Sequence, residues 1–248
     1  ALGAGRLPHA ILLVGEPGCG TGFAARCLAA DYLYPQGGPH AEAVLKKEDT
    51  ECLVLQGEGA SGQIPVKKVR EARVLFIYGA QNLNGTQGSA ANALLKIIEE
   101  PPEGVLFLLT APTAAVVLPT IRSRCAAYTI APVPAADCAA RLRAERLPAK
   151  AADELAFLYE GHIGTALKSW NDQTTKAALG MAKTLCGYAA QGDTYRALAL
   201  LTKYERDKEG FAALLWQLDQ LCSAVLRRPA YGQEQCGGLT PDDAAKIL

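Results

Sequence analysis

Short apolar runs alternate with amphipathic stretches over the first half of the chain. The runs Ala10–Val14, Cys52–Gln56, Val74–Tyr78 and Val105–Thr110 have the length of strands and are apolar on both faces. Runs of this kind are typical of central strands in a parallel sheet that helices cover on both sides. The alternation therefore predicts an α/β domain with a parallel sheet.

Three helices are predicted between or after these strands. The first begins near Gly22 and ends at about Tyr34, and the second is Ser89–Glu100, whose apolar residues recur at helical spacing. A third, short helix is predicted to begin at Pro119, because proline suits the first turn of a helix, and to extend through Arg124.

Strand signals stop after about Pro132, and the rest of the chain predicts helices separated by Gly and Asp. The three longest are Gln173–Gln191, Asp193–Arg206 and Glu209–Arg228, and Thr240–Asp243 has the composition of a further helix start. We therefore divide the chain into an α/β domain at residues 1–132, a small helical domain at 133–172 and a second helical domain at 173–248.

One junction of this scheme is short. Ile64–Ala72 predicts a helix of about two turns, and Val74 follows with almost no loop, whereas a parallel crossover normally needs ~10–12 residues. We hypothesise that residues are absent from the chain near Arg73–Val74, and also within Gly37–Thr50.

Composition narrows the class of protein. The 248 residues include 25 Lys+Arg and 25 Asp+Glu, so the formal net charge is zero, which argues against an acidic or basic tail protein. No run reaches the ~18 apolar residues of a membrane span, and the first residues lack the pattern of a signal peptide. The eight cysteines form no C-x-x-C pair, which argues against a zinc knuckle and favours a cytoplasmic protein with reduced thiols.

A glycine-rich loop follows the first predicted strand and opens the first predicted helix. This is the context of a phosphate-binding loop, in which backbone N–H groups and a helix N-terminus hold phosphates. Its candidate residues are Gly15, Gly18, Gly20, Thr21 and Gly22. Thr21 stands where such a loop has its lysine, and Gly22 stands where it has the hydroxyl that binds Mg²⁺.

A second position of the same candidate site is also changed. The strand Val74–Tyr78 is of the kind that ends in two acidic residues for Mg²⁺ and water, and here Tyr78 and Gly79 occupy those places. A tight strand-to-helix turn without any nucleotide would need the same glycines in the loop. Both interpretations predict that this chain does not hydrolyse ATP.

Three further segments carry a resemblance to a known family. Ala90–Lys96 with Glu99–Pro102, then Thr120–Cys125, and Gly5–Ala10 before the first strand closely resemble the clamp-loader subunits of bacterial DNA polymerase III, which are AAA+ proteins. The resemblance covers roughly residues 5–170 in the family's order. It implies an AAA+ core at 1–132, a helical lid at 133–172, and a helical collar at 173–248 that associates with sister subunits.

Within that family, the changed loop makes the chain resemble the delta-prime type, which does not hydrolyse ATP. Gly164 stands where an active subunit has the arginine of its second sensor, and Thr110 matches the first-sensor position. Many relatives carry a four-cysteine zinc module after the first helix, of which only Cys52 remains here. The resemblance thus implies neither ATP nor zinc as a cofactor, and no metal site.

The Ser123-Arg124-Cys125 segment matches the family motif that supplies an arginine finger in trans to ATP on a neighbouring subunit. The resemblance assigns that role to Arg124, and a guanidinium suits it because it is always charged and can bind two phosphate oxygens. Arg122 is the second candidate, with pairing to an acidic residue at the interface as its expected role. Without the surrounding motif, both would be surface arginines of a short helix.

The function that the resemblance implies is that of a non-catalytic clamp-loader subunit in DNA replication. Its expected partners are the gamma/tau motor subunits and the delta subunit, with the sliding clamp and primer-template DNA contacted through the complex. Two alternatives stay open: an active ATPase with unusual phosphate ligands, and an interaction scaffold outside replication.

Overall fold

A computed structural model describes residues 7–56, 72–84 and 89–231, together with residues 239 and 244. The chain divides into two compact units, residues 1–131 and 132–248. The predicted helix start at Thr240–Asp243 lies outside the described residues, and so does all of Ile64–Ala72 except its last residue. The boundary between lid and collar stays a prediction.

The first unit contains a five-stranded sheet in which every pair of neighbouring strands is parallel. Its order is β2-β3-β4-β1-β5, and its members are β1 (Ala10–Val14), β2 (Cys52–Gln56), β3 (Val74–Tyr78), β4 (Leu106–Ala111) and β5 (Ala126–Thr129). The first three strands have the predicted bounds, and β4 is shifted by one residue. The edge strand β5 is not predicted by the pattern, because it is short and mostly exposed and so lacks an apolar run.

Helices of the first unit are α1 (Thr21–Leu33), α2 (Pro39–Lys46), α3 (Ser89–Glu99) and the short α4 (Pro119–Arg122), with 3-10 turns at Ala80–Asn84 and Ala114–Val116. The prediction that the helix from Pro119 extends through Arg124 is wrong. It ends at Arg122, because the chain turns there to enter β5 at Ala126.

Two sequence hypotheses concern the links between these elements. Residues 57–73 connect β2 to β3, which is longer than the ~10–12 residues that a parallel crossover needs. The length of this link therefore requires no absent residues near Arg73–Val74. Within Gly37–Thr50 the chain forms α2.

Side chains alternate between the two faces along each strand, and the central strands β1, β3 and β4 are buried on both faces. On one face, Leu12 packs in a cluster with Leu94 and Ile98 of α3. On the other face, Leu13 packs in a cluster with Ala29 of α1. These two apolar layers hold the strand ends, and the loops that leave them, in fixed positions.

Helices alone form the described part of the second unit. They are α5 (Ala135–Ala144), α6 (Ala149–Leu158), α7 (Ile163–Asn171), α8 (Gln173–Gln191), α9 (Thr194–Leu201) and α10 (Lys208–Tyr231), with a 3-10 turn at Thr202–Tyr204 between the last two. The predicted helix Asp193–Arg206 is therefore too long. Thr202 Oγ1 donates a hydrogen bond to the Ala199 carbonyl oxygen. This bond competes with the backbone hydrogen bonds of the helix, and the helix ends at the residue before Thr202.

One cluster of buried residues draws on both predicted helical domains. Cys138 and Leu155 from the first, and Leu179 and Leu214 from the second, belong to the same core. Among the described helices, none has the length and apolar character that crossing a bilayer requires.

Candidate functional site

The glycine-rich loop joins the carboxyl end of β1 to α1. The N–H group of Gly15 donates to the carbonyl oxygen of Ala111 at 3.1 Å, which continues the pairing of β1 with β4. A Cβ atom on Gly15 would lie 2.5 Å from the Ile130 carbonyl oxygen. Gly18 and Gly20 have φ angles of 95° and 93°, a region that favours glycine. The loop thus has a backbone that other residues would strain.

The first turn of α1 begins at Thr21, directly after Gly20. No side chain caps this turn, since Gly20 has none. The helix N-terminus therefore presents backbone N–H groups as in a phosphate-binding loop. Thr21 supplies a hydroxyl at the lysine position and no positive charge.

Tyr78 lies against this first turn. A Cβ atom placed on Gly22 would be 3.1 Å from Cε2 and 3.5 Å from Cδ2 of the Tyr78 ring. The structure thus brings together the two positions at which a Mg²⁺ ligand is expected from the loop and an acid from β3. An aromatic ring occupies the space between them, whereas Mg²⁺ prefers carboxylate, phosphate and water oxygens.

Gly79 follows Tyr78 with a φ angle of 76°. A Cβ atom there would lie 3.2 Å from Asn82 Nδ2, so the backbone disfavours an acidic residue at this position. The Gly79 N–H donates a hydrogen bond of 3.2 Å to Oγ1 of the buried Thr110. The hydroxyl at the first-sensor position is thus held by the neighbouring strand end.

Arg26 is a charged residue near the loop that the sequence analysis missed. Its Nη1 atom lies 3.8 Å from the Cβ position of Gly22. Its Nε atom is buried and has no hydrogen-bond partner in the described part of the chain. The spacing of one helical turn from Gly22 is the signal that could have indicated a position beside the loop.

Arg124 lies near the amino ends of the parallel strands, whereas this loop leaves the sheet at their carboxyl ends. All strands are parallel, and Arg124 comes just before β5, which pairs with β1 from Ile11 onwards. The loop leaves β1 at its other end, after Val14. The four steps from Ala10 to Val14, at ~3.3 Å each, place the two ends of this strand ~13 Å apart. Arg124 therefore cannot reach phosphates bound at the loop of its own chain.

Three acceptors hold the guanidinium of Arg124. Its Nη2 atom lies 2.6 Å from Oε1 of Glu99, at the end of α3. Its Nη1 atom donates to the Thr120 carbonyl oxygen at 2.9 Å and to Ser123 Oγ at 3.3 Å. The side chains of Arg124 and Glu99 are 38% and 48% exposed, so the pair is accessible from outside the unit.

The neighbours of Arg124 in the motif have local contacts. Ser123 Oγ donates to the Thr120 carbonyl oxygen at 3.1 Å, and the exposed Arg122 reaches the Ala114 carbonyl oxygen at 3.5 Å. Pairing of Arg122 with an acid at an interface stays a prediction. Burial raises the pKa of Cys125 to about 11, so its thiol is protonated and unreactive at neutral pH.

Two further predicted positions are Cys52 and Gly164. Cys52 is buried, and burial, followed by the charge of Asp49, raises its pKa to about 11 against the opposing effect of Arg26. The described residues contain no group of three or more side chains that could hold a metal ion, and absence of zinc stays a prediction. Gly164 is an exposed residue of α7 in the second unit.

Sequence comparisons with known proteins find subunits of DNA polymerase III. The family model described as "DNA polymerase III, delta subunit" matches residues 61–134. The delta' subunit of Escherichia coli DNA polymerase III is 29% identical over 252 residues, which cover 93% of this chain and 73% of that protein. The gamma/tau subunit of Mycobacterium tuberculosis is 36% identical over 144 residues, or 50% of this chain. The chain spans only about a quarter (24%) of the length of that relative.

A solved structure of the RuvB Holliday junction branch migration motor of Thermotoga maritima superposes with a TM-score of 0.45 at 16% identity, covering 98% of this chain and 78% of that one. The sequence relatives are more informative about the family. The match to delta' extends over nearly the whole chain, including both compact units. The chain is therefore similar in sequence to the delta' subunits of bacterial DNA polymerase III.

Proposed function

We propose that this chain is a non-hydrolysing subunit of the DNA polymerase III clamp loader. In this role it supplies Arg124 as an arginine finger to ATP bound by a neighbouring gamma/tau motor subunit. It also associates with the delta subunit, and it meets the sliding clamp and primer-template DNA through the assembled complex.

The packing of Tyr78 on Gly22 carries the first half of this proposal. Hydrolysis of ATP in this fold needs a cation at the phosphates, a metal ligand on the loop and an acid at the end of the neighbouring strand. Here Thr21, Gly22 and Tyr78 hold these positions, and the ring of Tyr78 packs against Gly22, where the loop would have its metal ligand. Recovering the site would need changes at all three positions.

The position of Arg124 supports the second half. An arginine at the amino ends of the strands lies away from the loop of its own chain. It can therefore serve only a phosphate that another chain presents. Because Arg124 is exposed and charged, it can reach such a phosphate without rearrangement of the core. Loss of ATP chemistry on the loop leaves this capacity intact.

Exposed apolar side chains of the second unit support association with other subunits. Tyr195 and Leu198 of α9 are 82% and 65% exposed, and Leu226 of α10 is 67% exposed. Phe211 and Leu215 fall on the same face of α10 as Leu226, at helical spacing. Apolar residues grouped in this way on helices mark protein–protein contact surfaces.

Two measurements test the proposal. Calorimetric titration of the isolated chain with Mg-ATP should give only the heat of dilution up to millimolar nucleotide. In the complex reconstituted with gamma/tau and delta subunits, Arg124→Ala should lower clamp- and DNA-stimulated ATP turnover at the neighbouring site. Fingers of this kind are worth about 10³–10⁵ in rate in GTPases, so the loss at that site should be large.

Arg122→Ala is the matched control, because Arg122 is an exposed arginine two residues away whose contact is a long hydrogen bond to Ala114. It should lower turnover much less than Arg124→Ala does, because its expected partner is an acid at the interface and not the phosphate. Saturable micromolar ATP binding by the isolated chain would favour an active ATPase with unusual ligands. Failure to associate with the motor and delta subunits would favour a scaffold outside replication.

A further inference from the structure

Glu99 is the acidic partner of Arg124, and the sequence motif assigns it no role. It is the last residue of α3, and its Oε1 atom lies 2.6 Å from Arg124 Nη2. Its neighbour Glu100 is also exposed, and the hydrogen bond that Glu100 makes in the described chain comes from its backbone N–H. Two adjacent glutamates thus differ in whether they contact the candidate finger.

The contacts of Arg124 leave part of its guanidinium accessible. A guanidinium has five N–H donors. Nη1 donates to Thr120 and Ser123, and Nη2 forms the ion pair with Glu99. The remaining N–H groups belong to Nε and Nη2, which lie on one side of the guanidinium. That side fits two oxygens of a phosphate.

A carboxylate that binds Nη2 competes with such a phosphate. When a phosphate oxygen meets Nη2, the Glu99 carboxylate lies within a few ångströms of it, and like charges repel at this distance. The pair is about half exposed on both sides, and exposed ion pairs are weak and easily broken. These properties suit a contact that holds the arginine until a stronger anion replaces the carboxylate.

We propose that Glu99 is a positioning residue that retains Arg124 in the absence of a neighbour's ATP and releases it to the terminal phosphate. This inference rests on the proposed function of Arg124. Glu99 holds the guanidinium in place through a weak ion pair and competes with an incoming phosphate for it.

The test is a double-mutant cycle in the reconstituted complex with the ATP-binding subunits. The variants are Glu99→Gln, Arg124→Ala and the two together, with Glu100→Gln as the matched control. The measured quantities are the affinities of the complex for a non-hydrolysable ATP analogue and for ADP. Glu99→Gln keeps a hydrogen-bond acceptor but removes the competing charge, and circular dichroism verifies that each variant is folded.

Glu99→Gln should tighten binding of the ATP analogue about twofold to fivefold, the range expected when an exposed ion pair no longer competes. ADP binding should not change, because ADP lacks the terminal phosphate. The gain should shrink with added salt, which already weakens the pair in the wild type. In the Arg124→Ala background the gain should vanish, and Glu100→Gln should have no effect.

Each other outcome is decisive. If Arg124→Ala leaves analogue binding and turnover unchanged, the proposed function fails. If Arg124→Ala weakens both but Glu99→Gln does not tighten analogue binding, the function stands and the role of Glu99 is refuted. An equal effect of Glu99→Gln on ADP, or an effect that persists without Arg124, also refutes it, because retention of the arginine acts only through the terminal phosphate.

Discussion

Replacing Gly161 by alanine should destabilise the second unit strongly. Gly161 connects α6 to α7 with a φ angle of 80°, and alanine in the left-handed region costs ~1–2 kcal/mol. The new Cβ atom would also overlap the carbonyl oxygen of Val133. Overpacking of this kind costs ~1–3 kcal/mol, so we expect the free energy of unfolding to fall by ~2–5 kcal/mol.

Two other glycines of the same unit separate the two contributions. Gly192, which ends α8, has a φ angle of 72° but no atom within 4 Å of its Cβ position. Gly192→Ala should therefore cost only the ~1–2 kcal/mol of the backbone conformation. Gly180 lies within α8, also with open space around the Cβ position, and Gly180→Ala should stabilise by ~1 kcal/mol.

Urea unfolding followed by far-ultraviolet circular dichroism measures all three, since the described part of this unit is helical. The midpoints should rank Gly180→Ala above the wild type, then Gly192→Ala, then Gly161→Ala, at a constant slope with denaturant. Equal losses for Gly161→Ala and Gly192→Ala would mean that the Val133 carbonyl yields without cost.

Three further predictions concern Tyr159 and Cys125. Tyr159 donates to Ser169 and contacts Gln217 through its buried hydroxyl, so Tyr159→Phe should lower the free energy of unfolding by ~1–3 kcal/mol in a chemical denaturation series. Burial raises the pKa of Cys125 to about 11, so at pH 8 iodoacetamide should modify the exposed Cys222 first, as peptide mapping would show. Because the unfolded thiol ionises at lower pH, Cys125 should contribute a loss of stability as pH rises above ~9.

The pattern of apolar residues predicts the sheet because central strands are buried on both faces. All five residues of β1 are buried, as are those of β4, so each forms a run that is readable without its neighbours. The edge strand β5 has mainly exposed residues and gives no such signal. Its local sequence contains no apolar run. The strand is defined by its tertiary pairing with β1.

The sequence predicts which residue types stand at the positions of the candidate site, but it does not predict the contacts between them. The replaced positions Gly22 and Tyr78 follow from the order of residues in a phosphate-binding loop. That the ring of Tyr78 packs on Gly22 depends on the parallel arrangement of β1 and β3 around β4. The pairing of Glu99 with Arg124 likewise joins segments that only the folded chain brings together.

The two halves of the proposed function are separable because they use opposite ends of the strands of one sheet. The positions at the carboxyl ends of the strands can be without a lysine, a hydroxyl and an acid while Arg124, at the amino ends, keeps its contacts to Glu99 and Thr120. Once Tyr78 fills the space beside Gly22, restoring an acid alone recovers neither the metal ligand nor the lysine. Under the proposed function, a subunit without ATP chemistry of its own can therefore still act on the nucleotide of its neighbour, because the buried sheet fixes the position of Arg124.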